Sequence, residues 1–258
     1  DKGGVPSFDA EIIEQDLLFA LKLIVEKNGF QLPIRNNGLG YNNLLYMSLV
    51  LAKMQMNASD LMGDNATVFP ILVIEEPEAH LHPSMQSKFL RFLNNNFDRT
   101  RQIFITSHST HITSAVNLDS IICLYEDIEG DFKVGYPGKV FKEEDTNDQN
   151  SKIYVERFLD ATKSNMLFAN KIIFVEGIAE QLLIPCLAGY LNLEERLESE
   201  HVAIVSVDSR TFNHFLKLFA YTEDVNSCAI NRKIVCITDA DPTKKINNRW
   251  RAAFPYEL

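Results

Sequence analysis

The chain has 258 residues, enough for two modest domains, and its 46% hydrophobic and 23% charged residues are typical of a globular protein. The net charge of −10 argues against a uniformly basic nucleic-acid coat but is compatible with a carboxylate metal site. No apolar run reaches the roughly 18 residues of a membrane-spanning helix. The four cysteines have no CxxC spacing, which indicates a reducing, cytoplasmic location without a zinc or disulfide framework.

The first half of the sequence alternates helical and strand patterns. In chain order, these patterns predict helices at 12–26 and 42–56, a strand at 71–74, a helix at 84–95 and strands at 103–106 and 121–125. The strands are continuously apolar, which is typical of a parallel sheet covered on both faces. The first half is therefore predicted to be an α/β domain.

A polar segment at 130–150, with an acidic run at 143–148, interrupts the pattern and predicts a solvated boundary. The elements predicted after it are helix 152–162, strand 171–175, helix 179–191, strand 202–207, helix 211–221 and strand 233–238. This order favours a second, doubly wound and mostly parallel sheet.

The most informative run of the first half is ILVIEEPEAHLHP, in which an aliphatic strand ends in Glu75 and Glu76. Carboxylates at this end of a parallel strand lie where such sheets bind ligands. One acid can hold Mg²⁺ while its neighbour polarises an attacking water. Two acids alone also fit a solvated strand end, but the next apolar strand ends in Ser107 and His108, and a histidine there can contact a γ-phosphate.

A glycine-rich helix start precedes both strand ends. Gly38 and Gly40 stand before a long apolar helix that Asn42 or a neighbour can cap. The exposed amides and the positive dipole end make such a start a phosphate site, although ordinary capped helices share the pattern.

The order of glycine-rich helix start, IEEPEAHLHP and TSHS resembles the signature, Walker B, D-loop and switch-histidine series of ABC-type ATPases, and is most similar to their RecF/OLD-like branch. The resemblance implies ATP as a cofactor, with Glu75 linked to Mg²⁺, Glu76 as the catalytic glutamate and His108 as the switch histidine. It also implies a homodimer or higher homo-oligomer, since the signature, here Gly38, Gly40 and Asn42, contacts the nucleotide of the opposite subunit. Glutamate at 75 departs from the usual aspartate.

The phosphate-binding loop of such ATPases is missing from the sequence. No GxxxxGK[ST] occurs anywhere in the 258 residues. We expect this loop to lie before residue 1.

A second set of carboxylates follows the strands of the second half. In KIIFVEGIAEQLLIP, Glu176 follows a strand, Gly177 permits a sharp turn, and Glu180 lies one helical turn on, so that both acids converge. In KIVCITDADPT, Asp239 and Asp241 follow another strand and face the same side. Four carboxylates in one cleft need cations, and oxygen ligands favour one or two Mg²⁺ or Mn²⁺ ions. Either motif alone also fits capping acids and a turn.

The two motifs together resemble the Toprim domain of topoisomerases, primases and OLD nucleases. The resemblance implies that Glu176 is the general acid/base and that Glu180, Asp239 and Asp241 bind metal. Asp208, which ends the intervening strand, is a further candidate ligand.

The OLD-like branch is favoured because Thr243 stands where topoisomerases and primases carry the third acid of DxDxD. OLD enzymes supply further catalytic residues from downstream, so the Toprim domain is expected to be truncated at Leu258. The OLD family includes the nuclease subunit of Gabija anti-phage defence.

We therefore expect the C-terminal part of an ABC-type ATPase domain at 1–130, a connecting segment at 131–165 and a Toprim nuclease domain at 166–258. The resemblance implies a nucleotide-regulated, metal-dependent DNA endonuclease or nickase in anti-phage defence, with a helicase-like partner subunit. The lack of a long apolar run predicts no membrane association.

Two alternatives remain open. The first is a RecF/SMC-like DNA-binding ATPase with a non-cutting Toprim domain, and the intact EGxxE and DxD weigh against it. The second is a primase or topoisomerase, which the incomplete DxDxD and the attached ATPase half disfavour.

Overall fold

The computed structural model describes residues 24–27, 29–58, 63, 69–96, 102–127, 130–208, 211–219, 227–239, 242–246 and 249–252. These residues group into two compact units. The first runs through residue 72 and includes 79–82 and 102–104, and the second contains the other described residues. No helix among the described residues is long and apolar enough to cross a membrane.

The first unit contains a hairpin and a long helix. Strands β1 (Ile24–Lys27) and β2 (Phe30–Pro33) pair antiparallel, and Gly29, with φ +79°, lies in the turn between them. A 3₁₀ turn (Ile34–Asn36) leads into helix α1 (Leu39–Asn57), which contains the helix predicted at 42–56.

The helix predicted at 12–26 is wrong at its carboxyl end, and its other residues lie outside the described part of the chain. Ile24 and Val25 belong to β1 and pair with Pro33 and Leu32. Cross-strand pairing of these β-branched residues overrides the helical spacing of the sequence.

The strands β3 (Ile71–Glu75) and β4 (Gln102–Thr106) form a two-stranded sheet, as predicted to within one residue. Gln102 donates a backbone hydrogen bond to Pro70, and Glu76 donates one to Thr106 at the other end, so the strands run parallel. Helix α2 (Pro83–Asn96) connects them, and a one-turn helix α3 (Thr110–Thr113) follows β4.

A second hairpin follows, formed by β5 (Cys123–Glu126) and β6 (Phe132–Gly135), between 3₁₀ turns at Leu118–Ser120 and Pro137–Val140. Strand β5 lies one to two residues beyond the prediction of 121–125. Strand β6 was missed because the polar residues around it hide its pairing with β5.

Helix α4 (Thr146–Phe158) begins six residues before the predicted start at 152. Its N-cap is Asp145, whose side chain accepts the backbone N–H of Asn147 at 2.8 Å. The acidic run that predicted a solvated boundary is therefore partly a helix start, where carboxylates cap amides and complement the helix dipole. A 3₁₀ helix (Lys163–Leu167) follows.

The second parallel sheet has the strand order β8-β7-β9. Its elements are β7 (Lys171–Val175), α5 (Ile178–Tyr190), α6 (Glu194–Ser199), β8 (Val202–Ser206), α7 (Phe212–Leu216), a 3₁₀ turn (Lys217–Phe219) and β9 (Lys233–Ile237). Val175 lies opposite both Ser206 and Ile237, so all three strands end at one edge. The predicted β-α-β-α-β order and the parallel α/β class are confirmed.

A hairpin of β10 (Pro242–Ile246) and β11 (Arg249–Ala252) follows. The domain boundaries predicted at 130/131 and 165/166 stay predictions.

The core of the second unit surrounds β7. Its largest fully buried side chains are Phe174, Phe212, Phe215, Phe219, Leu118, Met166, Ile172, Leu218, Ile230, Val155, Val175 and Val207. Burying an aliphatic or aromatic side chain of this size stabilises a fold by roughly 1.5–3 kcal/mol. The strands that end beside the candidate site are therefore firmly anchored.

Candidate functional site

The ends of β7 and β9 bring two of the predicted carboxylates together. Glu176 directly follows β7, and Asp239 stands two residues after β9. The half-buried Glu176 accepts the backbone N–H of the exposed Asp239 through Oε1 at 3.0 Å. This bond links the two strand ends at the edge where parallel sheets bind ligands.

Glu180 lies in the first turn of α5, beside the same edge. Its Oε2 accepts the N–H of Gly177 at 2.9 Å, which is the glutamate half of a capping box. Gly177 is the N-cap in the short turn between β7 and α5, and its φ of −150° is an extended conformation that any residue can adopt, so the turn itself does not require glycine. A Cβ there would lie 3.3 Å from Glu180 Oε2, and glycine therefore leaves room for this carboxylate.

Asp208 has both carboxylate oxygens engaged. Oδ2 accepts from Lys163 Nζ at 2.7 Å, and Oδ1 accepts from Ser206 Oγ at 2.8 Å. Its backbone is left-handed, with φ +56°, which is uncommon for a residue other than glycine. The Lys163 ammonium lowers the pKa of the Asp208 carboxyl despite partial desolvation, so this acid is held ionised.

Sequence reasoning missed Lys163, which lies in the 3₁₀ helix before β7. Its side chain is only 9% exposed, whereas that of Asp208 is 56% exposed. A lysine is rarely buried without a partner. Its sequence neighbourhood carried no signal for this contact, because a five-residue 3₁₀ helix is too short to show a hydrophobic period.

The Lys163–Asp208 pair gives a pH-dependent stability prediction. Asp208→Asn should lower the free energy of unfolding by roughly 1 kcal/mol at pH 7, since the buried ammonium loses its shorter ion pair with a half-exposed carboxylate and keeps only the 3.8 Å contact with Asp160. Because the folded pKa of Asp208 is depressed, the contribution is present above the ordinary aspartate pKa of about 3.9 and is lost as pH falls through the folded value. Urea unfolding at several pH values measures this difference.

Asp131→Asn is the matched control because its partner Lys133 is 47% exposed. We expect this variant to unfold like the wild type at every pH. A difference between Asp208→Asn and wild type that stays constant down to pH 2 would contradict the charge-based explanation.

The donor chemistry of this edge fits a hard divalent ion, because Glu176, Glu180 and Asp239 offer only carboxylate oxygens. Asp241 lies outside the described residues. Within the part of the chain that the structure describes, no group of three or more Asp, Glu, His or Cys is arranged to hold a metal. The predicted cluster therefore stays a prediction.

The second group of candidate residues lies at the ends of β3 and β4. Glu75 ends β3, and Glu76 follows it with an unusual left-handed φ of +43°. Oε1 of Glu76 lies 3.3 Å from Nε2 of His108, and both side chains are exposed, by 51% and 85%. The structure thus brings the two predicted groups together, and their roles stay predictions.

The glycines at the helix start have a structural explanation. Gly38 is the N-cap and, as a glycine, has no side chain to make a cap bond. Asn42 lies inside the helix and donates its side-chain amide to the Ile34 carbonyl at 3.1 Å. A Cβ at Gly40 would lie 2.3 Å from the His80 carbonyl oxygen, so glycine permits a close backbone approach. Of the expected alternatives, Asn42 or a neighbour, Asn42 does not cap the helix, because the N-cap position is Gly38.

Two protein families match the sequence, one in each half. Residues 3–113 match the AAA ATPase domain, and residues 167–241 match the TOPRIM domain of proteins like the overcoming lysogenization defect protein. The chain therefore joins an AAA ATPase domain to an OLD-like Toprim domain. Together the two domains imply use of a nucleotide and a divalent metal ion.

Three curated relatives are nucleases by name. Endonuclease GajA of Bacillus cereus (strain HuB5-5) is 26% identical over 71% of this chain and 29% of its own length. Old nuclease of Escherichia phage P2 is 26% identical over 78% of this chain and 33% of its own. OLD nuclease of Thermus scotoductus (strain ATCC 700910 / SA-01) is 25% identical over 72% of this chain and 33% of its own length. The chain spans about a third of these relatives, and the predicted resemblance to OLD nucleases is confirmed.

Proposed function

We propose that the protein is a metal-dependent DNA endonuclease or nickase whose activity is regulated by nucleotide at its ATPase domain. The observation that carries this proposal is the Glu176–Asp239 hydrogen bond, which joins two strand ends inside the region that matches an OLD-like Toprim domain. The three nuclease relatives support DNA as the substrate.

Glu180, Asp239, Asp241 and Glu176 would hold Mg²⁺ or Mn²⁺. Bound there, such ions stabilise the attacking and leaving oxygens of a phosphodiester during in-line displacement. Glu176 is proposed to act also as general acid/base, because its carboxylate is fixed at the site by the Asp239 amide. Asp208 is proposed as a further ligand, although Lys163 already holds one of its oxygens.

In the ATPase domain, Glu75 would hold the Mg²⁺ of ATP, while Glu76 polarises the attacking water and His108 contacts the γ-phosphate. The helix start with Gly38, Gly40 and Asn42 would meet the nucleotide of a second copy. A homodimer or higher homo-oligomer follows from that arrangement. A role in anti-phage defence and a helicase-like partner subunit are also proposed, on the resemblance of the sequence to the OLD family.

Plasmid cleavage tests the proposed function. The purified full-length protein should convert supercoiled DNA to nicked or linear product with Mg²⁺ or Mn²⁺, and EDTA should stop the reaction. Glu176→Gln should lower the rate of plasmid cleavage by at least about a hundredfold, the usual effect of losing a general acid or base. Glu195→Gln, at an exposed carboxylate of α6, is the matched control and should cut normally.

Absence of cleavage by the wild type under all metal conditions would reject the nuclease. If the same protein then bound DNA in an ATP-dependent manner, the alternative function, a RecF/SMC-like DNA-binding ATPase that does not cut, would be supported instead.

A further inference from the structure

We infer that Glu78 is a positioning residue that holds the segment carrying His108 against the end of β3. Oε1 of Glu78 accepts two hydrogen bonds, from Ser107 Oγ at 2.7 Å and from the His108 backbone N–H at 2.9 Å. This inference rests on the proposed ATP hydrolysis and adds to it a residue that acts through His108 and is not itself catalytic.

The two groups that Glu78 would position are poorly held by packing. The side chains of Glu76 and His108 are 51% and 85% exposed, and their contact is 3.3 Å long. Side-chain packing therefore does little to fix one relative to the other. Their alignment depends on the backbone segments that carry them.

Those backbone segments are fastened at two points. On one side, Glu76 donates its N–H to the Thr106 carbonyl at 3.0 Å, which continues the β3–β4 ladder. On the other, the Glu78 carboxylate holds the two residues that follow Thr106, including the backbone of His108. Hydrogen bonds to a carboxylate are about twice as strong as neutral ones. The Glu78 carboxylate therefore holds the backbone of His108 strongly.

The environment of Glu78 indicates more than a packing role. Its Oε2 is buried and accepts no hydrogen bond from the described residues. A buried acceptor without a donor costs roughly 1–3 kcal/mol. A glutamate at this position therefore lowers the stability of the fold, and the hydrogen bonds of its Oε1 to Ser107 and His108 give a reason for its presence.

The turn that carries Glu78 is also strained. Glu76 and His80, on either side of it, both have left-handed backbones, with φ +43° and +64°. Non-glycine residues adopt this region at a cost, and such strain persists where the surroundings impose it. The strained turn brings Glu78 over the start of the segment after β4.

Steady-state ATP hydrolysis by the full-length protein tests the inference. Glu78→Ala should lower kcat by about tenfold to a hundredfold, since a misplacement of about 1 Å can cost up to about a hundredfold. Binding of a fluorescent ATP analogue should stay within twofold of wild type, because Glu78 acts through its hydrogen bonds to Ser107 and His108. Glu78→Gln should recover most of kcat, since its amide oxygen can accept both bonds.

Ser107→Ala provides a second variant that removes one donor from the same contact. It should lower kcat less than Glu78→Ala and keep the wild-type melting temperature. Glu144→Ala, at an exposed carboxylate, is the control and should behave as wild type.

Two results would overturn the inference: a folded Glu78→Ala with wild-type kcat, or a kcat loss in Glu78→Ala and Ser107→Ala that is matched by lost ATP binding. A wild-type protein without ATPase activity would instead reject the proposed hydrolysis, and the inference with it.

Discussion

Replacing Glu76 with glutamine is expected to slow ATP hydrolysis by at least about a hundredfold in the full-length protein, the scale of losing a general base. The amide is neutral and far less basic than a carboxylate, so it polarises the attacking water weakly and cannot accept its proton. ATP binding should change by less than twofold, because glutamine keeps the size of the side chain and the backbone bond to Thr106. Phosphate release and nucleotide binding, measured on the same preparation, check both statements.

Glu143→Gln, at an exposed acid far from β3 in sequence, serves as the control for this variant. Unchanged turnover in Glu76→Gln would remove Glu76 from the chemistry. An equal loss of turnover and of binding would assign it to nucleotide binding instead.

The meeting of Glu76 with His108 could be anticipated from the sequence. Each follows a short, continuously apolar strand, and such strands pair in parallel with their polar ends at one edge. The role of Glu78 could not be anticipated from the sequence. Glu78 lies in a turn whose direction depends on two residues with left-handed backbones, Glu76 and His80. Strand periodicity carries no information about backbone conformations of that kind.

In the second sheet too, a contact between strand ends could be predicted, whereas a contact made by a connecting segment could not. The Glu176–Asp239 contact follows from the parallel register of β7 and β9. The Lys163–Asp208 contact joins residues 45 positions apart, one of them in a 3₁₀ helix. A 3₁₀ helix is too short to show hydrophobic periodicity, so the partner of Asp208 was not predictable.

The start of α4 was missed for a related reason. Its first turns contain Thr146, Asn147 and Asp148, which have low helix propensity and no apolar stripe. The helix forms because Asp145 caps it and Val155 is fully buried in the core. Tertiary packing, which a single sequence does not display, decides such segments.

Asp239→Ala in the full-length protein is expected to abolish Mg²⁺- or Mn²⁺-dependent DNA cleavage. Loss of one proposed ligand misplaces the metal ions and leaves the departing oxygen unstabilised. Alanine retains the backbone N–H that Glu176 accepts, so the edge of the sheet should keep its structure. Plasmid nicking over a range of metal concentrations measures the loss, and Asp131→Ala, at an exposed acid, is the control.

The ATPase rate of Asp239→Ala separates the two chemistries. Glu76 and His108 follow a different sheet from that of Asp239, so hydrolysis should fall by less than about tenfold, a barrier change of roughly 1.4 kcal/mol. Normal DNA cleavage by this variant would show that the Toprim carboxylates are not the catalytic centre. A folded variant that loses both activities would show that the two sites are tightly coupled. The proposal that nucleotide regulates a chemically independent nuclease site would then be wrong.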